Sequence, residues 1–225
     1  DLKDYEALFD EKLDLLQLVN EKTKVDWQGR LTQTISGKEV YPRPVQDKLP
    51  LWVATGGHVE STVKIARAGL PIVYAIIGGN PRYFKKLIQA YREIGRHAGH
   101  AEKDLKVGAH SWGWIAEDGE QAVKDYFHPT KQVVDAISKD RPHWQELTYE
   151  QYLEQVSPNG AMFVGNPNQV AEKLIRMIEN LDLDRFMLHL PLGSMPHNQV
   201  LRAIELFGTQ VAPKVRAYFA MKEEL

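Results

Sequence analysis

Apolar positions recur along the chain at two alternating periods. In residues 2–19, Leu2, Tyr5, Leu8, Phe9, Leu16 and Val19 share one face at helical spacing, with charges on the other face. The stretch VDWQGRLTQTISGKEVYPRPVQDK has no helical period and holds two glycines and two prolines, which predicts a long surface connection with one short extended piece. From residue 51 the pattern changes to short unbroken apolar runs, each followed by three-four spacing. Residues 51–54 read as a buried strand, and the helix after them places Val63, Ile65 and Ala66 inside and stops at Gly69. PIVYAIIGG is a second buried strand. Pro81 opens a helix with Phe84, Leu87, Ile88, Tyr91 and Ile94 on one face.

A third strand covers 107–115, where Val107, Ala109, Ser111, Gly113 and Ile115 alternate with Gly108, His110, Trp112 and Trp114. DGEQAVKDYF then starts a helix. Residues 129–160, with three prolines and several aromatics, predict an insertion of short helices. A turn at Gly165 and a helix start near Pro167 follow, with Val170, Leu174, Met177 and Ile178 facing inward. DRFMLHLPLG reads as a fourth buried strand. The last helix carries Val200, Ile204, Phe207, Val211, Val215 and Phe219, and Pro213 within it predicts a kink or a restart. Strand and helix alternate four times, which argues for parallel βαβ units in one α/β domain over 1–225. Four units do not close an eight-stranded barrel; they form a small open sheet or half of a barrel.

Composition narrows the function classes. A net charge of −2 leaves no basic stripe and sets nucleic acid aside. The longest apolar runs, such as 71–77, are too short to span a bilayer, so no membrane partner is expected. The chain opens DLKDYEALFD, charged and amphipathic, unlike a secretory signal. It has no cysteine, which excludes disulfides, thiolate metal sites and cysteine nucleophiles and fits a cytoplasmic location.

Two strand ends carry the candidate chemistry. In ATGGHVES an apolar run stops at Gly56-Gly57 and a helix begins at once. Glycines allow a sharp turn and a close ligand, and helix amides with a serine hydroxyl form an anion site. The same residues also suit a plain strand-to-helix corner, with His58 on the surface and Ser61 bonded within its own first turn. IIGGNP repeats the pattern at Ile77 and Gly78, where bare backbone suits a flat ligand or merely a turn. Neither nucleotide-loop pattern, G-x-x-x-x-G-K-[ST] or G-x-G-x-x-G, occurs, and G-x-S-x-G and H-E-x-x-H are also absent. His97 and His100 suit the carbonyls of a helix end and lack a third ligand nearby, so no metal is expected. His110 and His189 lie inside strand patterns, where a buried, satisfied histidine is the default. At a strand's carboxyl end either becomes a candidate for proton transfer, and His189 is the better placed. His197 faces the same mouth or caps a helix. Trp112 and Trp114 share a strand face, for core packing or for stacking on a partner.

Four stretches in order, YPRPVQDKLPLWVATGGHVESTVKIARAGLPIV, IIGGNPRYFKKLIQAYREIGRHAGH, FVGNPNQVAEKLIRMIENLDLDRFML and VLRAIELFGTQVAPKVR, resemble the bacterial luciferase-like, flavin-dependent monooxygenases. The resemblance covers nearly the whole chain, most loosely in 129–160. It implies a TIM-barrel type fold, of which this chain matches about four βα units. These are the carboxyl-terminal half of such a protein, with four strands before residue 1, or a natural half-length relative. It further implies reduced FMN at the strands' carboxyl ends, oxygen, a small organic substrate and a flavin reductase as partner.

In the family the loop after the fifth strand and the first turn of its helix hold the flavin phosphate. Here that implies Gly56, Gly57, His58 and Ser61, with Thr62 beside them. His58 stands where a small residue is commoner. The strand end at Ile77 and Gly78 would lie against the flavin ring. The usual catalytic side chains come from the other half, so none is carried over. Two alternatives stay open: hydride transfer with the deazaflavin F420 on the same fold, and an inactive half-barrel. Open edges and an apolar inner face imply in any case a homo-oligomer, most simply a homodimer.

Overall fold

The computed structural model describes residues 2–141 and 144–223. The chain divides into two compact units between Leu51 and Trp52. In the first, helix α1 (Tyr5–Glu21) precedes strands β1 (Lys24–Trp27) and β2 (Ile35–Glu39), which pair antiparallel with Lys24 opposite Glu39. The connection expected to hold one extended piece is therefore a hairpin. Only Val25 of it is buried, so its alternation is too weak to see among polar neighbours. α1 keeps the expected period, yet none of its residues is buried. Arg43 anchors its end: Nη1 donates to Val19 O at 2.9 Å and Nη2 to Asn20 O at 2.9 Å, a cation on the last carbonyls of a helix.

Glu11 ties α1 to the hairpin loop. Its carboxylate accepts from the amides of Leu31 (3.0 Å) and Thr32 (2.8 Å) and from the Thr32 hydroxyl. The Thr32 hydroxyl first, then these amides, lower its pKa to about 2. A depressed carboxylate adds stability that is complete above the unfolded value and lost as pH falls through the folded one. The first unit is thus expected to lose stability between about pH 4.5 and 2. In Glu11→Gln that part of the acid limb should vanish; an unchanged acid profile by circular dichroism would refute the tie.

The second unit carries β3 (Val53–Thr55), α2 (Val59–Arg67), β4 (Ile72–Ala75), α3 (Phe84–His97), β5 (Val107–Ile115), α4 (Gly119–Asp140) and α5 (Tyr149–Val156). It continues with β6 (Phe163–Gly165), α6 (Pro167–Leu181), β7 (Arg185–His189), α7 (His197–Leu206) and α8 (Ala212–Glu223). Its strands pair parallel in the order β3-β4-β5-β6, with β7 also on β5. β5 organises the sheet: His110 is its only residue that is not buried. Its first part pairs with β4 and β7, and its last three residues pair with β6. Gly113 sits at that junction, where a Cβ would lie 2.4 Å from Phe163 O. Tyr74, Tyr91, Trp114, Tyr126 and Phe163 are fully buried.

The alternation of parallel strands and helices is as expected, with differences of detail. β6 is a fifth strand, three residues long, where the sequence suggested only a turn at Gly165. The first strand begins at Val53 rather than at residue 51. β7 is not buried: its residues alternate exposed and half-buried, and among the described residues it pairs only with β5. The segment 129–160 does not break at Pro129. α4 runs through it, because Ala122, Tyr126, Thr130 and Val134 bury one continuous face, and packing outweighs one lost helix bond. Pro142 and His143 of that segment lie outside the described residues. Before Pro213 the chain makes a π turn over Phe207–Val211 and restarts as α8, the expected break.

Candidate functional site

β3 and β4 are neighbours in register, Thr55 opposite Tyr74. The two glycine ends therefore emerge side by side at the same end of the sheet. At the first, Gly57 has φ +99°, and a Cβ there would lie 2.8 Å from Phe84 Cε1. Phe84 in turn meets Tyr74 edge-on, with ring centroids 5.6 Å apart. Gly57 thus makes room for a packed ring, and its amide donates to Thr55 Oγ1 at 3.3 Å. Gly56 differs: among the described residues nothing lies within 4 Å of where its Cβ would be.

His58 is the exposed N-cap of α2 and gives that helix no side-chain hydrogen bond. Ser61, in the first turn, is half-buried. Thr62 points inward: its hydroxyl donates to His58 O at 3.0 Å and pairs with Tyr74 OH at 3.2 Å. Burial pushes the Tyr74 phenol up to about 12, so it stays neutral.

At the second end, β5 staples Ile76. Its amide donates to His110 O at 2.8 Å, and Ser111 Oγ donates to its carbonyl at 2.6 Å. Beyond it Ile77 is half-buried, while Gly78 and Gly79 are exposed, with nothing within 4 Å of their Cβ positions. Asn80 ends the loop by accepting from the Arg82 amide at 3.0 Å. Residues 77–79 line a groove of about 430 Å³ that runs to the end of α4 and to α5. Trp112 and Trp144 wall it, Val134, Leu147 and Met162 add apolar surface, and Gln155 and Glu154 supply polar groups.

His110 and His189 come together from β5 and β7, ring centroids 5.7 Å apart. His189 is exposed and is the last residue of β7, the carboxyl-end position that makes it a candidate for proton transfer. Burial first, then His189, hold the His110 imidazole below the ordinary histidine range, so His110 favours its neutral form. His97 Nδ1 bonds Glu93 O at 2.8 Å within its own helix, while His100 Nε2 bonds Arg67 O at 2.8 Å at the end of α2. His197 opens α7. Trp112 faces Trp144 and Trp114 stacks on Tyr126, so the two tryptophans serve different neighbours. The groove itself escaped the sequence reading. Trp144 lies in the irregular stretch between α4 and α5, and nothing in its spacing points to Trp112.

A family model described as luciferase-like monooxygenase matches residues 1–184. Among solved structures, the monooxygenase RslO1 from Streptomyces bottropensis is similar with a TM-score of 0.77 and 19% identity, over 95% of this chain and 62% of its own. A riboflavin lyase, RcaE, solved with modified FMN and riboflavin, gives 0.64 and 17%, over 96% and 58%. An F420-dependent secondary alcohol dehydrogenase, solved with an F420-acetone adduct, gives 0.62 and 17%, over 91% and 60%. At these identities the likeness speaks for the fold. The chain spans about three fifths of the length of each of these proteins.

Proposed function

The chain belongs to the luciferase-like monooxygenase family, and we propose that it holds reduced FMN at the carboxyl ends of β3 and β4 for the oxidation of a small organic substrate by oxygen. The observation that carries this reading is the pair of open glycine ends on adjacent strands. Gly56 and Gly78 both leave empty the place where a side chain would stand, which suits a ligand pressed on backbone. The first turn of α2 receives no bond from its N-cap side chain, so its amides and the Ser61 hydroxyl are donors for a phosphate. Glu60 in the same turn opposes an anion, and these donors must outweigh it. Ile77 and Gly78 offer a half-apolar ledge to a flat ring. His189, with a neutral His110 beside it, holds or passes a proton at an imidazole nitrogen.

When bound, the flavin supplies the electrons that reduce oxygen. The residues of this chain bind it, orient it and keep water from one side. A second reading is favoured by the F420-dependent neighbour: the same ledge and phosphate corner would serve hydride transfer with F420. Parallel fluorescence titrations with FMN and with F420 decide between them. Saturable FMN binding with weaker F420 binding is expected. The reverse order favours hydride transfer. Binding of neither contradicts both and leaves the inactive half-barrel that pairs with a second copy.

A further inference from the structure

We propose that the groove between residues 77–79, Trp112, Trp144 and Gln155 binds a neutral, planar aromatic molecule bearing a hydrogen-bond donor, of the phenol or naphthol class. Its role as the substrate site rests on the flavin reading above; its binding chemistry does not. Trp112 and Trp144 stand with ring centroids 6.5 Å apart and planes inclined by 50°, so the groove is walled by indole rings that favour another π system. Gly78 and Gly79 leave its floor as bare backbone, with no atom of the described residues within 4 Å of either Cβ position. A flat ring can therefore approach it closely.

Gln155 lines the same groove, and its Oε1 is buried with no hydrogen-bond partner among the described residues. A buried acceptor left unpaired is unfavourable, and a ligand O–H or N–H would satisfy it. Among the described residues no lysine, arginine or histidine lines the groove, while Glu154 does; that balance disfavours an anion. The volume of about 430 Å³ falls within the range of small-molecule sites, roughly 300–1,000 Å³.

The test is calorimetric titration of the 225-residue chain, without flavin, using 2-naphthol and its donor-free analogue 2-methoxynaphthalene. 2-Naphthol should bind about tenfold more tightly, the order expected for one satisfied buried acceptor. Gln155→Leu should erase that difference and leave the analogue unaffected. Trp144→Ala and Gly78→Val should each weaken both ligands about tenfold or more, the first by removing a stacking wall and the second by filling the floor. Gly78 opens on empty space and, unlike Gly79 at +74°, lies outside the positive-φ region, so Gly78→Val should keep the parent's circular dichroism.

No uptake of either ligand, equal affinity for the two, or indifference to both Trp144→Ala and Gly78→Val would overturn the proposal. The two readings fail separately. Failure with naphthol beside intact FMN binding removes the substrate class alone; naphthol binding without FMN binding removes the flavin.

Discussion

Lys173→Met is expected to destabilise the second unit by roughly 3 kcal/mol or more, because it leaves several buried carbonyls unpaired at roughly 1–3 kcal/mol each. Lys173 lies on the apolar face of α6 and is only 8% exposed. Its Nζ donates to the carbonyls of Met162 and Ser157 at 2.6 Å, Val156 at 3.0 Å and Gln155 at 3.4 Å. Two of these carbonyls close α5, and Met162 leads into β6. The ammonium therefore does three things at once: it caps a helix with the charge its dipole favours, fixes a three-residue strand, and sets the backbone on which Gln155 stands. Burial, with Arg176 nearby, pushes its pKa down, and the four acceptors favour the charged form. Methionine fills the space but leaves the carbonyls unpaired. For a unit of this size the midpoint should fall by roughly 10 °C or more. Arg176→Met, at an exposed position on the same helix, should change it little. A similar small shift for both variants in thermal unfolding would contradict this account.

The second large effect separates neighbouring glycines. Gly57→Ala should lower stability by roughly 1–3 kcal/mol, through its left-handed backbone and the collision with Phe84. Gly56→Val should leave the melting temperature close to that of the parent, since its Cβ meets nothing within 4 Å. It should nevertheless weaken FMN binding a hundredfold or more, because its methyls occupy the space assigned to the ligand. If Gly56→Val binds FMN like the parent, the open space is only solvent. If it unfolds, the corner is packed more tightly than the geometry shows.

What the sequence made legible follows from burial. β4, β5, α3 and α6 have strongly apolar faces, and their periods place them correctly. The two glycine ends were also readable, because a run of buried apolar residues ending in Gly-Gly is a local signal. The hairpin was missed because its half-exposed strands show little alternation in sequence, whereas β7 was expected as a strand but as a buried one, because Phe186, Met187 and Leu188 form an unbroken apolar run. β6 is three residues long, too short for its alternation to show, and is held by pairing with the end of β5. α4 overrode Pro129 because its buried face continues beyond it. At the site, sequence could not divide the glycine pair into one that makes room for Phe84 and one that stays open. That division depends on a ring 27 positions away in sequence. Lys173 did leave a trace, a lysine among Val170, Leu174 and Met177 on an otherwise apolar face.

The central claim is that the corner from Gly56 to Ser61 holds a flavin phosphate. It is tested most directly by titrating the parent chain and Ser61→Ala with FMN and with riboflavin, which lacks the phosphate. FMN should bind the parent at least tenfold more tightly than riboflavin. Ser61→Ala should lower FMN affinity about tenfold, the order of one hydrogen bond to a charged group, and leave riboflavin unchanged. Equal affinity of the parent for both flavins, or FMN binding indifferent to Ser61→Ala, would mean that no phosphate rests on this corner.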